Sequence, residues 1–177
     1  MAVSRGSLYR EWWGLPRISS MPLSNISLAR LAAVEPHLAE RIKQLDALAP
    51  ELNIQVTQGL RTWNEQNDLY SQGRTTVGSI VTDAPAGYSW HNFGLGVDVV
   101  PEDVAVGQPD WNTSHPAWNR IVVLAPSVGL VSGATWRSFP DWPHLQPSEI
   151  PVSPQDEDRQ DFTDAGMQAV WTKYFGA

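Results

Sequence analysis

The residues Ser-Trp-His-Asn-Phe-Gly-Leu-Gly-Val-Asp, positions 89–98, contain a turn followed by the start of a strand. The valines on both sides of Asp98 are β-branched, which favours an extended segment there. Gly94 and Gly96 allow the chain to turn tightly from His91 into that strand, because glycine adopts backbone angles that other residues avoid. The stretch therefore predicts a histidine and a carboxylate joined by one tight turn.

Patterns of apolar residues on either side predict that this turn belongs to a mixed domain of helices and strands. The predicted helices run from Ser27 to before Pro36 and over 36–49, 62–71, 116–125 and 162–175. The predicted strands cover 53–58, 97–100 and two segments within 129–147. Loops are expected over 74–90 and 101–114, and a loop as long as the first is usually functional in a compact domain.

Length and composition limit the class of protein. The 177 residues suffice for one domain of ordinary size, and a hydrophobic content of 42% is too high for a disordered chain. The chain has no cysteine, which excludes disulfides and thiolate metal sites. A net charge of −7 argues against nucleic acid or an anionic membrane as the partner. We expect a monomer without a membrane-spanning helix.

The domain itself is expected to cover residues 25–150. An irregular arm over 1–24 precedes it, and a proline-rich linker with a short packing helix follows over 151–177. Charged residues and prolines interrupt the N-terminal segment, so no signal peptide is expected.

Two of the four histidines lie beside carboxylates at spacings that suggest a metal site. His91 and Asp98 lie on either side of the turn, and His144 follows Asp141 by three residues. Two imidazoles and one carboxylate, with a fourth position left to water, are typical of catalytic zinc. One zinc ion per chain, held by His91, Asp98 and His144, is therefore a hypothesis that these residues allow. Asp141 could then take a proton from the zinc-activated water and pass it to the leaving amine.

Other polar residues have less specific interpretations. Arg61 precedes the helix that begins near residue 62, where its guanidinium could hold a substrate carboxylate or stabilise an oxyanion. His37 is expected to be solvated on the second helix, and His115 to begin the fourth. The acidic run 156–158 is interpreted as a solvated helix start.

The motif S-x-H-x-x-G-x-G-x-D over residues 89–98 resembles the signature of a family of zinc peptidases that act on peptidoglycan. This is the family of D-alanyl-D-alanine carboxypeptidases and L-alanyl-D-glutamate peptidases. The motif D-x-x-H over 141–144 resembles its second motif. The segments 58–62 and 66–75 are similar to the endolysin-like L-alanyl-D-glutamate branch. The resemblance covers roughly residues 28–147.

This resemblance implies a fold, a metal site and a set of catalytic residues. The fold is α+β, a small antiparallel sheet packed by helices, of the Hedgehog/DD-peptidase type. The zinc ligands are His91, Asp98 and His144, and the general base is Asp141. Arg61 would face the substrate. A further polar residue, Ser89, would contact the substrate or the surroundings of the metal.

The sequence departs from the family pattern at two positions and in one segment. Gly96 stands where the family usually has alanine, and Leu145 replaces a frequent phenylalanine. The segment 131–136 replaces a Trp-Gly-Gly-Asp-Trp sequence. The last departure bears on the preference among substrates and not on the metal.

The resemblance implies a zinc metallopeptidase that hydrolyses peptidoglycan stem peptides, and its branch favours the L-alanyl-D-glutamate bond. A D-alanyl-D-alanine carboxypeptidase or dipeptidase is one alternative. A non-catalytic zinc-bearing binding module, as in Hedgehog-type relatives, is another, although such a module would not need Asp141. Arg74 and Arg137 lie in segments that lead to the proposed ligands, so both are candidates to bind a substrate carboxylate.

The place of action follows from the same expectations. Without a signal peptide, the enzyme is expected to remain in the cytoplasm until it is released to the bacterial cell wall. Alternatively, it acts on muropeptides inside the cell.

Overall fold

The computed structural model describes residues 23–103 and 105–176. Its helices are α1 (Asn25–Leu31), α2 (Pro36–Leu48), α3 (Trp63–Ser71), α4 (Pro116–Leu124), α5 (Asp156–Ala165) and α6 (Met167–Phe175). Its strands are β1 (Gln55–Gln58), β2 (Val97–Val100), β3 (Glu102–Asp103), β4 (Gln108–Pro109), β5 (Leu130–Ser132) and β6 (His144–Pro147). The arm predicted over 1–24 falls almost entirely outside the described residues.

The main sheet is antiparallel and brings two of the predicted ligands side by side. Its strand order is β1-β2-β6-β5, so β2 and β6 occupy the centre. Where β2 pairs with β6, Asp98 lies directly opposite His144. Directly opposed residues of an antiparallel pair project from the same face of the sheet. The small sheet with helices packed against it is the α+β fold that the resemblance implied.

The opposite face of β2 is buried against the N-terminal helices. Helix α2 buries an apolar face, on which Ile42 and Leu45 are at most 1% exposed. They belong to one core cluster with Val97 and Val99 of β2. Burying one such side chain stabilises the fold by about 1.5–3 kcal/mol, so this contact fixes the strand firmly. Because side chains alternate along a strand, Asp98 projects away from this core.

A second apolar cluster supports the turn that carries His91. Trp90 and Phe93, on either side of this histidine, are at most 1% exposed and pack with Val170 of α6. The indole of Trp171 also donates a hydrogen bond to the carbonyl oxygen of Phe93 at 2.7 Å. The C-terminal helices therefore hold this turn from behind.

The C-terminal segment differs from the single helix predicted over 162–175. Two helices form instead, because Gly166 between them has a φ of +79°, which interrupts the helical path. The first begins at Asp156, since three acidic residues in its first turn interact favourably with the helix N-terminus. The expectation of a solvated acidic run was wrong for Asp158, which is fully buried and accepts hydrogen bonds from Lys173 and Tyr174.

Most other local predictions are confirmed. Helix α3 begins with a capping box in which Thr62 and Glu65 bind each other's backbone N–H groups. His115 caps α4, and the side chain of His37 is 63% exposed. The segment 101–114 was expected to be a loop, but it contains the short β3–β4 hairpin. None of the helices in the described part of the chain combines the length and apolar character needed to cross a membrane.

Candidate active site

His91 lies in a short 3-10 turn, Trp90–Phe93, that Ser89 caps by accepting a hydrogen bond from the His91 N–H. Gly94 ends the turn with a φ of +63°, a conformation that favours glycine. The His91 Nδ1–H donates to the carbonyl oxygen of Gly59 at 2.9 Å. This contact fixes the orientation of the buried ring and leaves Nε2 as its ligand atom.

His144 presents its ligand atom from the adjacent strand. Its Nδ1 lies 3.1 Å from His91 Nε2. On the other side of the ring, Nε2 lies 3.1 Å from the Gln146 Oε1, to which it donates when Nδ1 is unprotonated. The Gln146 amide is itself buried and donates to the Pro151 carbonyl oxygen at 2.9 Å. Gln146 therefore sets which ring nitrogen faces the site.

The sequence prediction missed Gln146, although a signal for it exists. The residue stands two positions after His144 on one strand, and alternate residues of a strand share a face.

Asp98 completes the group. Its Oδ1 lies 3.2 Å from His91 Nε2 and 3.8 Å from His144 Nδ1. This oxygen is buried, and among the described residues it has no hydrogen-bond partner. A buried carboxylate oxygen without a partner is costly, and a divalent cation between the three ligand atoms would satisfy it. The donor set of two imidazoles and one carboxylate therefore fits the predicted zinc ion.

The electrostatics suit a metal site. Burial would raise the pKa of Asp98, but the two histidines and the Arg61 guanidinium lower it to about 2. Burial and the nearby His91 lower the pKa of His144 to about 4. At neutral pH, Asp98 is therefore ionised and His144 is neutral, which are the protonation states in which both residues bind metal.

Gly96 leaves room for the ligand rings. A Cβ at this position would lie 2.8 Å from His144 Cε1 and 3.2 Å from the His91 backbone nitrogen. Glycine in place of the usual alanine therefore permits the observed position of His144, because an added methyl group would force the imidazole to shift.

Asp141 lies at the end of the loop that precedes β6. Its N–H donates to the Gly133 carbonyl oxygen at 3.0 Å, and its own carbonyl accepts from the His144 N–H at 3.3 Å. Burial raises the pKa of its carboxyl to about 6, and the negative charge of Asp98 contributes to the same shift. Asp141 therefore binds a proton more strongly than an exposed aspartate, as expected of a group that accepts one during turnover.

Arg61 contacts the ligand group from the end of the segment that follows β1. Its Nη1–H donates to Gln66 Oε1 at 2.9 Å, and its Nη2 lies 3.4 Å from Asp98 Oδ2. The Nε of Arg61 is buried, and within the described residues it has no hydrogen-bond partner.

A cavity of about 550 Å³ joins six of the eight predicted site residues. They are Arg61, Ser89, His91, Asp98, Asp141 and His144. One wall is the segment 81–85, and the other includes the aromatic side chains of Trp111, Trp136 and Phe139. The cavity thus has an apolar lining around a small group of polar residues, which is typical of a binding site.

The two remaining candidates lie outside this lining. Arg74 donates hydrogen bonds to the carbonyl oxygens of Tyr70 and Thr82 and pairs with Asp83 at 2.9 Å. Its guanidinium thereby holds the loop 74–83 together. Arg137 is exposed, although its neighbour Trp136 lines the cavity. That either arginine contacts the substrate stays a prediction, and their position outside the cavity lining does not favour it.

Comparisons with known proteins match the segments that form this site. A family model described as D-alanyl-D-alanine carboxypeptidase matches residues 82–147, which include His91, Asp98, Asp141 and His144. The chain is 30% identical over 145 residues to CwlK, the peptidoglycan L-alanyl-D-glutamate endopeptidase of Bacillus subtilis (strain 168). That match covers 77% of this chain and 82% of CwlK.

Solved structures share the fold. The L-Ala D-Glu endopeptidase ChiX of Serratia marcescens superposes with a TM-score of 0.56 at 23% identity, covering 74% of this chain and 92% of ChiX. The vancomycin resistance D,D-dipeptidase VanXYg, in complex with a D-Ala-D-Ala phosphinate analogue, superposes with a TM-score of 0.50 at 16% identity. This match covers 80% of this chain and 59% of VanXYg. From its identity to CwlK over most of both chains, we conclude that the protein belongs to this family of peptidoglycan peptidases.

Proposed function

We propose that the protein is a zinc-dependent endopeptidase that cleaves the L-alanyl-D-glutamate bond of peptidoglycan stem peptides. The observation that carries the proposal is the convergence of three ligand atoms in one cavity. The His91 Nε2, the His144 Nδ1 and the Asp98 Oδ1, which has no hydrogen-bond partner among the described residues, all lie within 4.8 Å of one another. Asp141 lines the same cavity.

One zinc ion per chain is held by His91, Asp98 and His144. When bound, the zinc ion would lower the pKa of its water molecule toward about 7, and it would also polarise the carbonyl group under attack. The hydrogen bonds from His91 to Gly59 and between His144 and Gln146 keep both rings in the metal-binding orientation. These contacts limit the rearrangement that metal binding requires.

Asp141 acts as the general base and then as the general acid. Its carboxylate takes the proton of the attacking water, and the resulting carboxylic acid returns the proton to the nitrogen of the departing D-glutamate. Burial raises the pKa of this carboxyl above that of an exposed aspartate, which helps the group to hold the proton between the two steps. Its presence in the cavity speaks against a non-catalytic binding module.

Arg61 supplies positive charge beside the reacting groups. Among the described residues, Arg61 is the only lysine or arginine that lines the cavity. A guanidinium can bind a carboxylate through two parallel hydrogen bonds. We assign it to a carboxylate of the D-glutamate residue, while Ser89 lines the same cavity and can contact the peptide.

Similarity to CwlK favours the endopeptidase over the alternative reaction, because it extends over 77% of this chain. The second candidate is a D-alanyl-D-alanine carboxypeptidase or dipeptidase. The family model that matches residues 82–147 carries the carboxypeptidase description. A carboxypeptidase also needs a cation for the terminal carboxylate, and Arg61 could supply it.

Product analysis separates the two reactions. Purified muropeptides are incubated with zinc-loaded protein, and the products are identified by mass spectrometry. The endopeptidase leaves L-alanine on the muramic acid and generates a peptide with a new D-glutamate amino terminus. Release of free D-alanine, with the L-alanyl-D-glutamate bond intact, would contradict the proposal and support the carboxypeptidase.

We further propose that a monomer acts on the bacterial cell wall after its release from the cytoplasm. Activity on intact sacculi, compared with soluble muropeptides, tests this against a role inside the cell. A strong preference for soluble muropeptides would favour the intracellular role.

A further inference from the structure

Gln66 on α3 is fully buried, yet its amide makes three hydrogen bonds at the edge of the cavity. Its Oε1 accepts from Arg61 Nη1 at 2.9 Å. Its Nε2 donates to the Ala84 carbonyl oxygen at 2.7 Å and lies 3.4 Å from Thr82 Oγ1. A buried amide with partners on both ends is held in one orientation, because losing either partner would leave a polar group unsatisfied.

These contacts join two parts of the cavity that are distant in sequence. Arg61 lies before α3, whereas Thr82 and Ala84 belong to the loop that forms one wall. The helix that carries Gln66 is itself fixed at its start by the Thr62–Glu65 capping box. Gln66 is thus a rigid connection between the guanidinium and the wall.

We propose that Gln66 is a positioning residue that orients Arg61 for the substrate carboxylate and sets the distance between Arg61 and the cavity wall. This inference rests on the role given to Arg61 in the proposed function. Gln66 does not line the cavity itself, so it acts through Arg61 and the wall.

The chemistry of the amide explains why a glutamine suits this position. The contact of Arg61 with Asp98 is long, at 3.4 Å, so the 2.9 Å bond to Gln66 is the shorter restraint on the guanidinium. An amide oxygen accepts this bond without adding negative charge. A carboxylate in its place would form an ion pair with Arg61 and compete with the substrate carboxylate for the same charge.

Asn92 illustrates the difference between side-chain and main-chain support. It is also buried, but among the described residues its amide binds backbone groups alone, namely the carbonyl oxygens of Arg61 and Thr62 and the N–H of Gly87. Asn92 therefore fixes the course of the chain, whereas Gln66 also holds the guanidinium.

A double-mutant cycle tests the proposal. The variants Gln66→Met, Arg61→Met and their combination are compared with the wild type for kcat and KM on a stem peptide and for zinc content. Loss of a hydrogen bond to a charged group should lower kcat/KM of Gln66→Met about ten-fold, mainly through KM. Because Gln66 acts through Arg61, adding Gln66→Met to Arg61→Met should cost less than about two-fold further. Zinc content should stay equal in all four proteins.

A matched control and a second variant complete the experiment. Gln55→Met removes a half-buried glutamine whose amide donates to Glu102 Oε2 on β3, outside the cavity lining, and it should leave kcat/KM unchanged. Gln66→Glu preserves the shape and the acceptor oxygen, so it can replace Gln66→Met in the cycle if that variant does not fold. It should also raise KM for the carboxylate-bearing peptide, because its charge competes for Arg61.

The outcomes separate the two proposals. If both single variants are impaired and their effects multiply in the double variant, Gln66 does not act through Arg61, and the positioning role is wrong while the proposed function stands. If Arg61→Met leaves kcat/KM unchanged, the role of Arg61 in the proposed function is wrong, and the role of Gln66 fails with it.

Discussion

Replacing Asp141 by asparagine should remove most of the turnover and, at the same time, make the metal-free protein more stable at neutral pH. The shape of the side chain is preserved, so the fold and the zinc ligands are retained. Asparagine cannot accept the proton of the attacking water, and loss of a general base typically costs about 10²–10⁴-fold in rate. The two effects have one cause, which is the buried position of the carboxyl group.

The size of the stability effect follows from the pKa shift. Burial and the Asp98 charge raise the pKa of Asp141 from 3.8 to about 6. Each pKa unit corresponds to about 1.4 kcal/mol, so the ionised carboxylate destabilises the folded metal-free protein by up to about 3 kcal/mol. Above pH 6 the group is ionised in both the folded and the unfolded state, and this cost is complete. It decreases as the pH falls from 6 and is absent below 3.8, where the group is protonated in both states.

Two assays measure these effects. Denaturant unfolding of chelator-treated protein should show Asp141→Asn to be more stable than wild type by about 1–3 kcal/mol at pH 7, with the difference shrinking as the pH falls below 6. In the zinc-loaded wild type, kcat/KM should fall about ten-fold per unit on an acid limb at or below pH 6, because a bound cation lowers the pKa of Asp141. A variant within three-fold of wild-type turnover, or one destabilised at pH 7, would refute this reasoning.

Three further predictions concern other residues. Gln146→Leu should weaken zinc binding about 10–100-fold in a competition assay with a chelating dye, because His144 loses the contact that orients it; unchanged affinity would mean that Gln146 has no such role. Arg61→Lys should recover only part of the kcat/KM that Arg61→Ala loses, since an ammonium group cannot form the paired hydrogen bonds of a guanidinium; full recovery would show that charge alone suffices. Gly133→Ala should lower kcat and the melting temperature together, because its Cβ would lie 2.6 Å from the Asp141 carbonyl oxygen; wild-type values would show that the loop adjusts freely.

The candidate metal ligands could be predicted from the sequence because the turn that joins His91 to Asp98 is local. Short spacing, two glycines and a run of valines together define that geometry. The arrival of His144 beside them depends on the pairing of β6 with β2. Such a register is set by which face of each strand is buried, and no local pattern specifies it. Only the family resemblance linked the two motifs before the structure was known.

The supporting contacts were beyond prediction from the sequence for a different reason. Gln66 begins a segment similar to the endolysin-like branch, and Gln146 stands two positions after His144 on one strand, but neither pattern indicates which groups these amides contact. Their roles depend on partners from other segments, such as Ala84 and Pro151. Arg74 was predicted to bind a substrate carboxylate because its segment leads to a proposed ligand, and in the structure its guanidinium donates to the carbonyl oxygens of Tyr70 and Thr82.

The C-terminal helices show how tertiary packing adds to local propensity. The acidic start of α5 looks like a solvated turn in the sequence. In the structure, Asp158 is buried because α6 supplies Lys173 and Tyr174 as partners. The paired helices then support the turn that carries His91 through Trp171, a function that their sequence alone does not indicate.

Measuring the metal content is the most direct test of the central claim, that His91, Asp98 and His144 form a catalytic zinc site. Elemental analysis of the purified protein, after dialysis with zinc, should give about one equivalent per chain. The same treatment should give less than about a tenth of an equivalent for His91→Ala and for His144→Ala. Hydrolysis of muropeptides should disappear with a chelator and return when zinc is added. A wild type that binds no more zinc than these variants, or that remains active after complete removal of metal, would contradict the claim.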